Sequence, residues 1–328
     1  MEKIKIGIYG YGNLGKGVEL ALKNSPDMEL KGIFTRRSPD SISTLYQDSK
    51  IFSVDNASSM KNDIDVMILC GGSATDLPKQ GPAICKMFNT IDSFDTHAKI
   101  PEYFSVMNKT AKENDTLSLI SCGWDPGLFS LNRSLLDSIL PIGKNYVFYG
   151  RGVSQGHSDA LRQIAGVKNA IQYTVPYDEA VASVRNKQNP EFKSVHDMMW
   201  RECFVVLDGT VDADTVEKEI KEMPNYFSDY NTVVHFVSEE ELKEKHSKMS
   251  HGGFVLRSGK TSENINQIAE FSLNLDSNPE FTASVLVAYA RALNRLKEEG
   301  ATGCKTAFDI APAYLSRLSG EELRATLL

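Results

Sequence analysis

The feature that most constrains the fold is a glycine-rich turn close to the N-terminus. Residues 3–9 alternate and are rich in β-branched side chains, which predicts a strand, and Gly10-Tyr11-Gly12-Asn13-Leu14-Gly15 follows directly. Residues 16–23 then predict a helix. A strand, a G-x-G-x-x-G turn and a helix in this order form the setting in which the pattern binds the pyrophosphate of a dinucleotide. The turn therefore predicts a dinucleotide site; a merely structural glycine turn is the alternative.

The same strand and helix unit recurs over the first 125 residues. Further strands are predicted at residues 27–34, 64–70, 89–91 and 116–121, and helices at 77–87 and 101–114. Strands that alternate with helices at this spacing predict right-handed βαβ crossovers and a parallel, doubly wound sheet. The predicted fold class is α/β, with a Rossmann-type domain over residues 1–125.

The end of the second predicted strand indicates which dinucleotide is bound. An NAD enzyme usually has a carboxylate there, about 20 residues after the glycines, to hold the ribose hydroxyls. This chain has Thr35-Arg36-Arg37 instead. A hydroxyl and two guanidinium groups can bind a 2′-phosphate that a carboxylate would repel, so the predicted cofactor is NADP. Solvated loop charges are the alternative.

A second cofactor contact is predicted after the third strand. The run Cys70-Gly71-Gly72-Ser73-Ala74-Thr75-Asp76 is small and polar, which suits a turn whose backbone passes close to the ribose and phosphates. An ordinary helix N-cap at Ser73 or Thr75 is the competing interpretation, and both can hold.

Carboxylates follow the fourth and fifth predicted strands. Asp92 and Asp95 end one, with Asp92 assigned to the cofactor, and Trp124 and Asp125 end the other. Ligands of open α/β sheets lie at these carboxyl ends. Carboxylates near a hydride acceptor favour an ammonium-bearing substrate. The alternatives are a partial metal site at Asp92, Asp95 and His97, core packing for Trp124 and a simple turn at Asp125.

Composition and charge exclude several classes of function. The 328 residues carry a net charge of −7 and no block of lysine and arginine, which argues against nucleic acid as the partner. No apolar run reaches the ~18 residues that a bilayer requires. The N-terminus has no signal-peptide pattern, so we expect a cytoplasmic protein. The five cysteines are widely spaced and predict reduced thiols, without a disulfide framework or a metal site.

The second half of the chain has a different character. Strands are predicted at residues 146–150, 172–175, 203–207 and 232–237, and helices at 129–139, from Ser158, at 239–248 and at 281–299. This spacing predicts an α+β domain over residues 126–279 with a mixed or antiparallel sheet. The segment from about 280 to 328 is expected to pack back on the nucleotide domain.

The chain resembles the meso-diaminopimelate dehydrogenase family over nearly its whole length. The matching stretches are the glycine turn, Gly32-Ile33-Phe34-Thr35-Arg36-Arg37, Gly72-Ser73-Ala74-Thr75-Asp76, Gly123-Trp124-Asp125-Pro126-Gly127, Ser154-Gln155-Gly156-His157-Ser158-Asp159-Ala160-Leu161-Arg162, Met223-Pro224-Asn225-Tyr226-Phe227, His251-Gly252-Gly253 and Asn278-Pro279-Glu280-Phe281-Thr282-Ala283-Ser284. The resemblance implies NADP-dependent, reversible oxidative deamination of the D-centre of meso-2,6-diaminopimelate to L-2-amino-6-oxopimelate and ammonia, in lysine biosynthesis. It also implies homodimers, with residues 126–279 serving substrate binding and dimerisation.

The resemblance also implies which side chains bind the substrate. The D-centre contacts fall on Asp95, Trp124 and Asp125, with Asp125 the first candidate for the proton-transfer group and Asp95 the second. The contacts with the distal L-centre and the loop beside the substrate fall on Thr174, Arg201, His251, Asn278, Gln155 and Gly156. Tyr149 departs from the family pattern, which has tryptophan there, although a tyrosine keeps an aromatic face and a polar tip.

The residue types fit this substrate independently. The substrate has an ammonium and a carboxylate at each end, and Arg201 suits a bidentate carboxylate contact, with His251 as a further donor. Without the resemblance, a surface charge is the favoured interpretation of Arg201, and a structural histidine that of His251. Two other functions compete: an oxidoreductase of the same architecture acting on another D-amino acid, a hydroxyl or a cyclic imine, and an NADP-sensing protein without turnover.

Overall fold

Both ends of the chain contribute to one of its two compact units. The computed structural model describes residues 2–186, 189–224 and 226–328, without the side chains of Gln155 and Gly156. The first unit comprises Met1–Leu131 with Pro279–Leu328, and the second comprises Asn132–Asn278.

Strands and helices alternate in the first part of the chain and less regularly afterwards. The strands are β1 (Ile4–Tyr9), β2 (Met28–Thr35), β3 (Ile51–Ser53), β4 (Val66–Leu69), β5 (Asn89–Asp92), β6 (Leu117–Leu119), β7 (Ile142–Tyr149), β8 (Gly152–Val153), β9 (Val167–Pro176), β10 (Met199–Leu207), β11 (Thr232–Phe236), β12 (His251–Ser262), β13 (Ile265–Leu275) and β14 (Gly303–Lys305). The α-helices are α1 (Asn13–Lys23), α2 (Leu77–Cys85), α3 (Ile100–Glu113), α4 (Leu128–Ile139), α5 (Gln155–Leu161), α6 (Asp178–Arg185), α7 (Ala213–Glu222), α8 (Glu239–His246), α9 (Asn278–Glu298), α10 (Pro312–Leu315) and α11 (Gly320–Leu327). Short 3-10 turns lie at Pro39–Ser41, Val54–Met60, His97–Lys99, Val195–Asp197 and Ala307–Asp309. Across the described ranges, no helix combines the length and apolar character needed to cross a bilayer.

The sheet of the first unit is parallel, with strand order β14-β6-β5-β4-β1-β2-β3. Every pairing along it is parallel. This confirms the predicted doubly wound α/β fold. The two edge strands, β3 and β14, were not predicted, because three residues are too few to establish an alternating pattern.

The core of the first unit explains why strands β1 and β4 consist mostly of apolar residues. Ile6, Ile8, Ile33 and Ile68 are fully buried, because helices cover both faces of a parallel sheet. Helix α9, from the other end of the chain, lies in the same core through its buried apolar side chains, among them Ala283, Leu286, Tyr289, Ala290 and Leu293.

The second unit contains two smaller sheets. In one, of order β11-β10-β9-β8, the β10 and β11 pair is parallel and the others are antiparallel. The other, of order β13-β12-β7, is antiparallel. The expected mixed character is therefore confirmed. Helices α6 and α7 and the long β12–β13 hairpin were missed.

Candidate active site

The glycine turn leaves the start of helix α1 open to a ligand. Gly10 has a φ of +99°, a conformation that favours glycine. A Cβ on Gly15 would lie 2.3 Å from the carbonyl oxygen of Gly10, so the helix can pack on the strand only with glycine there. A Cβ on Gly12 would meet no atom within 4 Å. The backbone of the turn is thus accessible to a phosphate group at the helix N-terminus.

A cavity of about 280 Å³ lies at this turn. Its lining includes the predicted residues Gly10, Tyr11, Gly12, Thr35, Arg36, Arg37, Cys70 and Gly71. Asp76, the last residue of the predicted polar run, also lines it, as do Tyr9, Phe34, Val54 and Gln80, which were not predicted. The ends of the predicted strands were a signal for Tyr9 and Phe34, whereas Val54 and Gln80 had none, because folding alone brings them there.

The positive groups of this cavity are held by specific contacts. The Arg36 Nη1 atom lies 3.0 Å from Asp76 Oδ1, and Arg36 is otherwise largely exposed. Arg37 Nη2 donates to the carbonyl oxygen of Tyr11 (2.5 Å), and the Arg37 N–H donates to Thr35 Oγ1 (3.2 Å). Two guanidinium groups and a hydroxyl therefore line one cavity beside the glycine turn. This arrangement fits a dinucleotide with an additional phosphate better than one without it.

The other predicted cofactor residues lie nearby but outside the cavity lining. Asn13, Leu14 and Gly15 belong to the first turn of α1. Residues 72–75 form the turn before α2, where the Gly72 N–H donates to Asp76 Oδ2 (3.1 Å). Ser73 and Ala74 line a separate cavity of about 400 Å³. Their contact with a cofactor stays a prediction.

Asp92 is fully buried and bonded within the protein. Its carboxylate accepts from the Phe94 N–H (2.9 Å), the Tyr103 hydroxyl (2.8 Å) and the Ser121 N–H (3.2 Å). Burial raises the pKa of Asp92 to about 6, and these hydrogen bonds only partly oppose that shift. The carboxylate thus joins the ends of β5 and β6, and its predicted role in cofactor binding stays a prediction.

Trp124 and Asp125 sit on a tightly folded loop after β6. The Gly123 N–H donates to the Pro126 carbonyl (2.9 Å), and Gly127 has a φ of +126°. A Cβ on Gly127 would lie 1.8 Å from the Gly123 carbonyl oxygen, so the loop requires glycine at this position. Trp124 is 7% exposed and Asp125 is half-buried.

The loop after β5 lies beside this loop and holds the second candidate carboxylate. A Cβ on Gly123 would lie 3.6 Å from the Ser93 Cβ, so the two strand ends are neighbours. The Asp95 N–H donates to Ser73 Oγ (3.1 Å), and Asp95 is exposed. The first unit thus places Asp95, Trp124 and Asp125 at adjacent carboxyl ends of its sheet.

In the second unit, Arg201 and Thr174 form a buried pair across β10 and β9. They are register partners, and Arg201 Nη1 donates to Thr174 Oγ1. Arg201 is 8% exposed, and its guanidinium carbon lies 3.9 Å from the Tyr230 ring centroid. Burial lowers the pKa of Arg201. Among the described residues its Nε has no hydrogen-bond partner and no acidic side chain pairs with it, so the site suits an anion.

His251 joins this pair because Gly152 has no side chain. A Cβ on Gly152 would lie 2.4 Å from His251 Nδ1, so the imidazole occupies the space above that glycine. Gly152 is the register partner of Thr174 on β8, and paired residues present their side chains to the same face of a sheet. His251 therefore lies on the face that carries Thr174 and Arg201.

Two of the remaining predicted substrate residues, Tyr149 and Asn278, lie near His251. The rings of Tyr149 and His251 are 6.5 Å apart and edge-on. The Asn278 N–H donates to the Met249 carbonyl (2.8 Å), two residues before His251. Gln155 and Gly156 begin helix α5, but their side chains lie outside the described part of the structure.

Comparison with known proteins identifies the family. Residues 123–277 match the model of the diaminopimelic acid dehydrogenase C-terminal domain. The meso-diaminopimelate D-dehydrogenase of Ureibacillus thermosphaericus is 60% identical over 328 residues, covering 100% of both chains. The chain belongs to the meso-diaminopimelate D-dehydrogenase family. The family resemblance drawn from the sequence is thereby confirmed.

Two solved structures relate this family fold to ligands. A six-substitution mutant of the meso-diaminopimelate dehydrogenase of Clostridium tetani E88, solved with DAP, is 52% identical with a TM-score of 0.94 and covers 99% of this chain and 100% of its own. An engineered D-amino acid dehydrogenase bound to NADP+ is 38% identical with a TM-score of 0.86, over 99% and 100% of the two chains.

Thr174, Arg201 and His251 form what we call the distal group of this diaminopimelate dehydrogenase family member. Three residues near it were not predicted from the sequence. These are Gly152, Tyr230 and His157. Burial lowers the pKa of His157 to about 4, and the charge of Arg201 adds to this, so the imidazole is neutral at pH 7. His157 Nδ1 lies 2.7 Å from Ser154 Oγ. The matching stretch that contains His157 was a signal, whereas the Tyr230 contact had none.

The described residues contain no group of three or more His, Cys, Asp and Glu side chains arranged to hold a metal ion. The first unit presents a phosphate cradle and carboxylates, and the second presents a buried cation.

Proposed function

We propose that this protein catalyses the NADP-dependent, reversible oxidative deamination of the D-centre of meso-2,6-diaminopimelate. The reaction takes diaminopimelate, NADP+ and water to L-2-amino-6-oxopimelate, ammonium, NADPH and a proton. The buried Arg201, without an acidic partner among the described residues, is the observation that carries the substrate assignment, because a distal carboxylate is the anion that it lacks. Membership of the family supports the same reaction.

NADP is the cofactor that the cavity of the first unit fits. Gly10 and Gly12 would admit its pyrophosphate, and Thr35, Arg36 and Arg37 would hold its 2′-phosphate. When bound, it supplies the hydride acceptor of the reaction. Residues 1–125, together with the segment from about 280 to 328, are proposed to form this dinucleotide-binding domain.

The carboxylates of the first unit are proposed to serve the reacting D-centre. A hydride leaves an α-carbon only when its nitrogen carries a lone pair, so the bound ammonium must first lose a proton. Asp125 is proposed to take that proton on its carboxylate, and Asp95 to hold the ammonium group. Trp124 would form an apolar wall that keeps the substrate carbon chain in place. Water then adds to the resulting imine carbon and ammonia leaves.

The second unit is proposed to bind the L-centre. Arg201 and Thr174 would hold its carboxylate, and His251 would donate a further hydrogen bond from Nε2, because its Nδ1 already accepts from the Gly252 N–H (2.8 Å). Asn278 would accept from the L-centre ammonium. Tyr149, Gln155 and Gly156 would line the pocket around the substrate chain.

Homodimerisation through the second unit is also part of the proposal. Leu135, Ile139, Ile142 and Ile265 are each more than half exposed in the single chain, and burying such apolar side chains would favour association. A second copy of the chain would cover them, and sedimentation velocity would detect the dimer. A cytoplasmic location is proposed because the five cysteines are all free, as expected in a reducing compartment.

One assay tests the activity. The purified protein is incubated with NADP+ and either meso-diaminopimelate, its L,L isomer or D-alanine, and NADPH formation is followed by absorbance. We expect turnover with the meso compound, none with the L,L isomer, which lacks a D-centre, and a poor rate with D-alanine. Binding of NADP+ without NADPH formation would indicate a sensing protein and refute the proposal. In a parallel assay with NADPH and a cyclic imine, NADPH oxidation without any turnover of the meso compound would favour the competing oxidoreductase.

A further inference from the structure

A buried carboxylate on helix α1 holds the loop that follows the two arginines. Glu19 is 2% exposed. It accepts hydrogen bonds from the Leu45 N–H (3.1 Å), the Tyr46 N–H (3.4 Å), the Ser49 hydroxyl and the Tyr11 phenol. These four hydrogen bonds offset the free-energy cost of removing the carboxylate from water. The middle of the loop is thereby fixed to the helix.

Tyr11 connects the Glu19 carboxylate, which anchors the loop, to the glycine turn. Its carbonyl oxygen accepts from Arg37 Nη2 (2.5 Å), and its phenol donates to Glu19. The Leu45 N–H also donates to the phenol oxygen (3.2 Å). Burial, together with the hydrogen bond to Glu19, raises the pKa of Tyr11, so the phenol stays protonated and remains a donor. One residue of the turn therefore contacts both Arg37 and the Glu19 anchor.

Other contacts between α1 and the loop are weaker. Lys23 lies 3.9 Å from Asp48 and 4.7 Å from the Tyr46 ring centroid, but both charged side chains are more than half exposed. Exposed pairs of this kind contribute little. The pairing of β3 with β2 begins only at Ile51. Residues 45–49 are thus fixed mainly by Glu19.

We propose that Glu19 is a positioning residue for cofactor selectivity. Glu19 holds residues 45–49 and the Tyr11 phenol, and thereby fixes the segment that starts with Arg36 and Arg37. It thus positions these two arginines to bind a 2′-phosphate. The inference rests on the proposed NADP dependence. Glu19 itself need not touch the cofactor, because the contacts of Tyr11 and the loop transmit its effect.

The substitution Glu19→Gln tests this role. An amide keeps the size of the side chain but leaves one acceptor oxygen and turns an NH2 group towards donors. We expect the KM for NADP to rise about tenfold or more, the loss expected for charged hydrogen bonds. The KM for NAD, the KM for diaminopimelate and kcat at saturating NADP should stay within about twofold of the wild-type values.

Glu29→Gln is the matched control. It makes the same chemical change in the same unit, on strand β2, where the carboxylate is 40% exposed and pairs with Lys31. All kinetic constants should remain at their wild-type values. Should Glu19→Gln fail to fold, Ser49→Ala removes a single donor to Glu19, and the KM for NADP should rise about threefold with the KM for NAD unchanged.

Three results would overturn the inference: an unchanged KM for NADP, equal increases for NAD and NADP, or a fall in kcat alone. Failure of the proposed function is a different result, because the wild-type protein would then form no NADPH from diaminopimelate. If the wild-type protein is active but the variants show no selective rise in the KM for NADP, only the role of Glu19 is refuted.

Discussion

At the scale of single residues, the charges beside the glycine turn should decide the choice of cofactor. We expect NADP to be preferred over NAD by at least about tenfold, which corresponds to about 1.4 kcal/mol. Replacing Arg36 and Arg37 by alanine should raise the KM for NADP and change the KM for NAD little, because NAD has no 2′-phosphate. Steady-state kinetics with both cofactors measures this. Equal losses with both would show that the arginines support the loop and not the phosphate.

A second residue-scale prediction concerns the proton-transfer group. Asp125→Asn should lower kcat by about a hundredfold or more, the usual range for such groups, because an amide cannot take the proton from the substrate ammonium. NADP binding, measured by fluorescence titration, should be unchanged. Asp95→Asn is the comparison, with a smaller loss in kcat expected. Near-normal turnover of Asp125→Asn would leave this carboxylate a positioning role only.

Arg201 should determine which substrate is used. Arg201→Met keeps most of the bulk and removes the charge. The fall in kcat/KM for meso-diaminopimelate should correspond to at least ~2 kcal/mol of lost transition-state stabilisation, the scale of a lost charged hydrogen bond. D-Alanine has no distal carboxylate, so its poor kcat/KM should hardly change. Both substrates are assayed with both proteins. Equal losses with both substrates would mean that Arg201 supports the fold, and its assignment to the distal carboxylate would be wrong.

At the scale of elements, the loop from Gly123 to Gly127 positions Trp124 and Asp125 by its backbone. Gly127→Ala would place a Cβ 1.8 Å from the Gly123 carbonyl and must reshape the loop. We expect a fall in kcat of about a hundredfold, as for loss of the proton-transfer group, with NADP binding retained. Gly209→Ala is the control, since Gly209 also has a positive φ (+85°) but a Cβ there meets no atom within 4 Å. If both variants kept full activity, the loop would not position the carboxylate.

The central strands and first helices of the first unit were predictable from local patterns, whereas distant pairings were not. The strand, turn and helix around Gly10 lie within one short segment, so their pattern is visible in the sequence. Strand β14 pairs with β6 from the other end of the chain, and no local signal announces it. The β12–β13 hairpin was missed although Phe271, Leu273 and Leu275 alternate with polar residues, which was a usable signal.

The same distinction applies to the site. The predicted cofactor residues follow strand ends, and spacing alone was enough to propose them. In the distal group, Thr174 and Arg201 meet only through the register of β9 and β10, and His251 reaches them only above Gly152. Such contacts depend on pairing between segments far apart in the chain. Resemblance to a family, and not spacing, pointed to them.

At the scale of the whole molecule, the first unit is closed by an ion pair between distant parts of the chain. Arg291 of α9 and Asp27 are 264 residues apart, and Arg291 Nε and Nη2 donate to the two carboxylate oxygens at 2.5 and 3.0 Å. Arg291 Nη1 also donates to the Leu315 carbonyl (2.8 Å). The Arg291 side chain is 6% exposed, so the C-terminal segment is tied to the start of β2 in a mostly water-free setting.

Breaking this ion pair should destabilise the molecule in a pH-dependent way. Arg291→Met should cost about 2 kcal/mol, or about 4–8 °C in Tm at pH 7. Burial opposes ionisation of Asp27, but the hydrogen bonds and charge of Arg291 outweigh it, so the pKa of Asp27 is lowered. Because the folded-state pKa is below the unfolded one, this stabilisation is complete above the ordinary carboxyl pKa of about 3.9 and is lost as the pH falls through the folded value.

The Tm difference between wild type and variant should therefore be constant near neutrality and shrink in acid. Scanning calorimetry from pH 7 to about 3 measures it, with Lys297→Met, whose partner Asp115 is 84% exposed, as a control that should barely change Tm. A difference that is equally large in acid would show that Arg291 acts through packing and the Leu315 carbonyl, and not through the charge of Asp27.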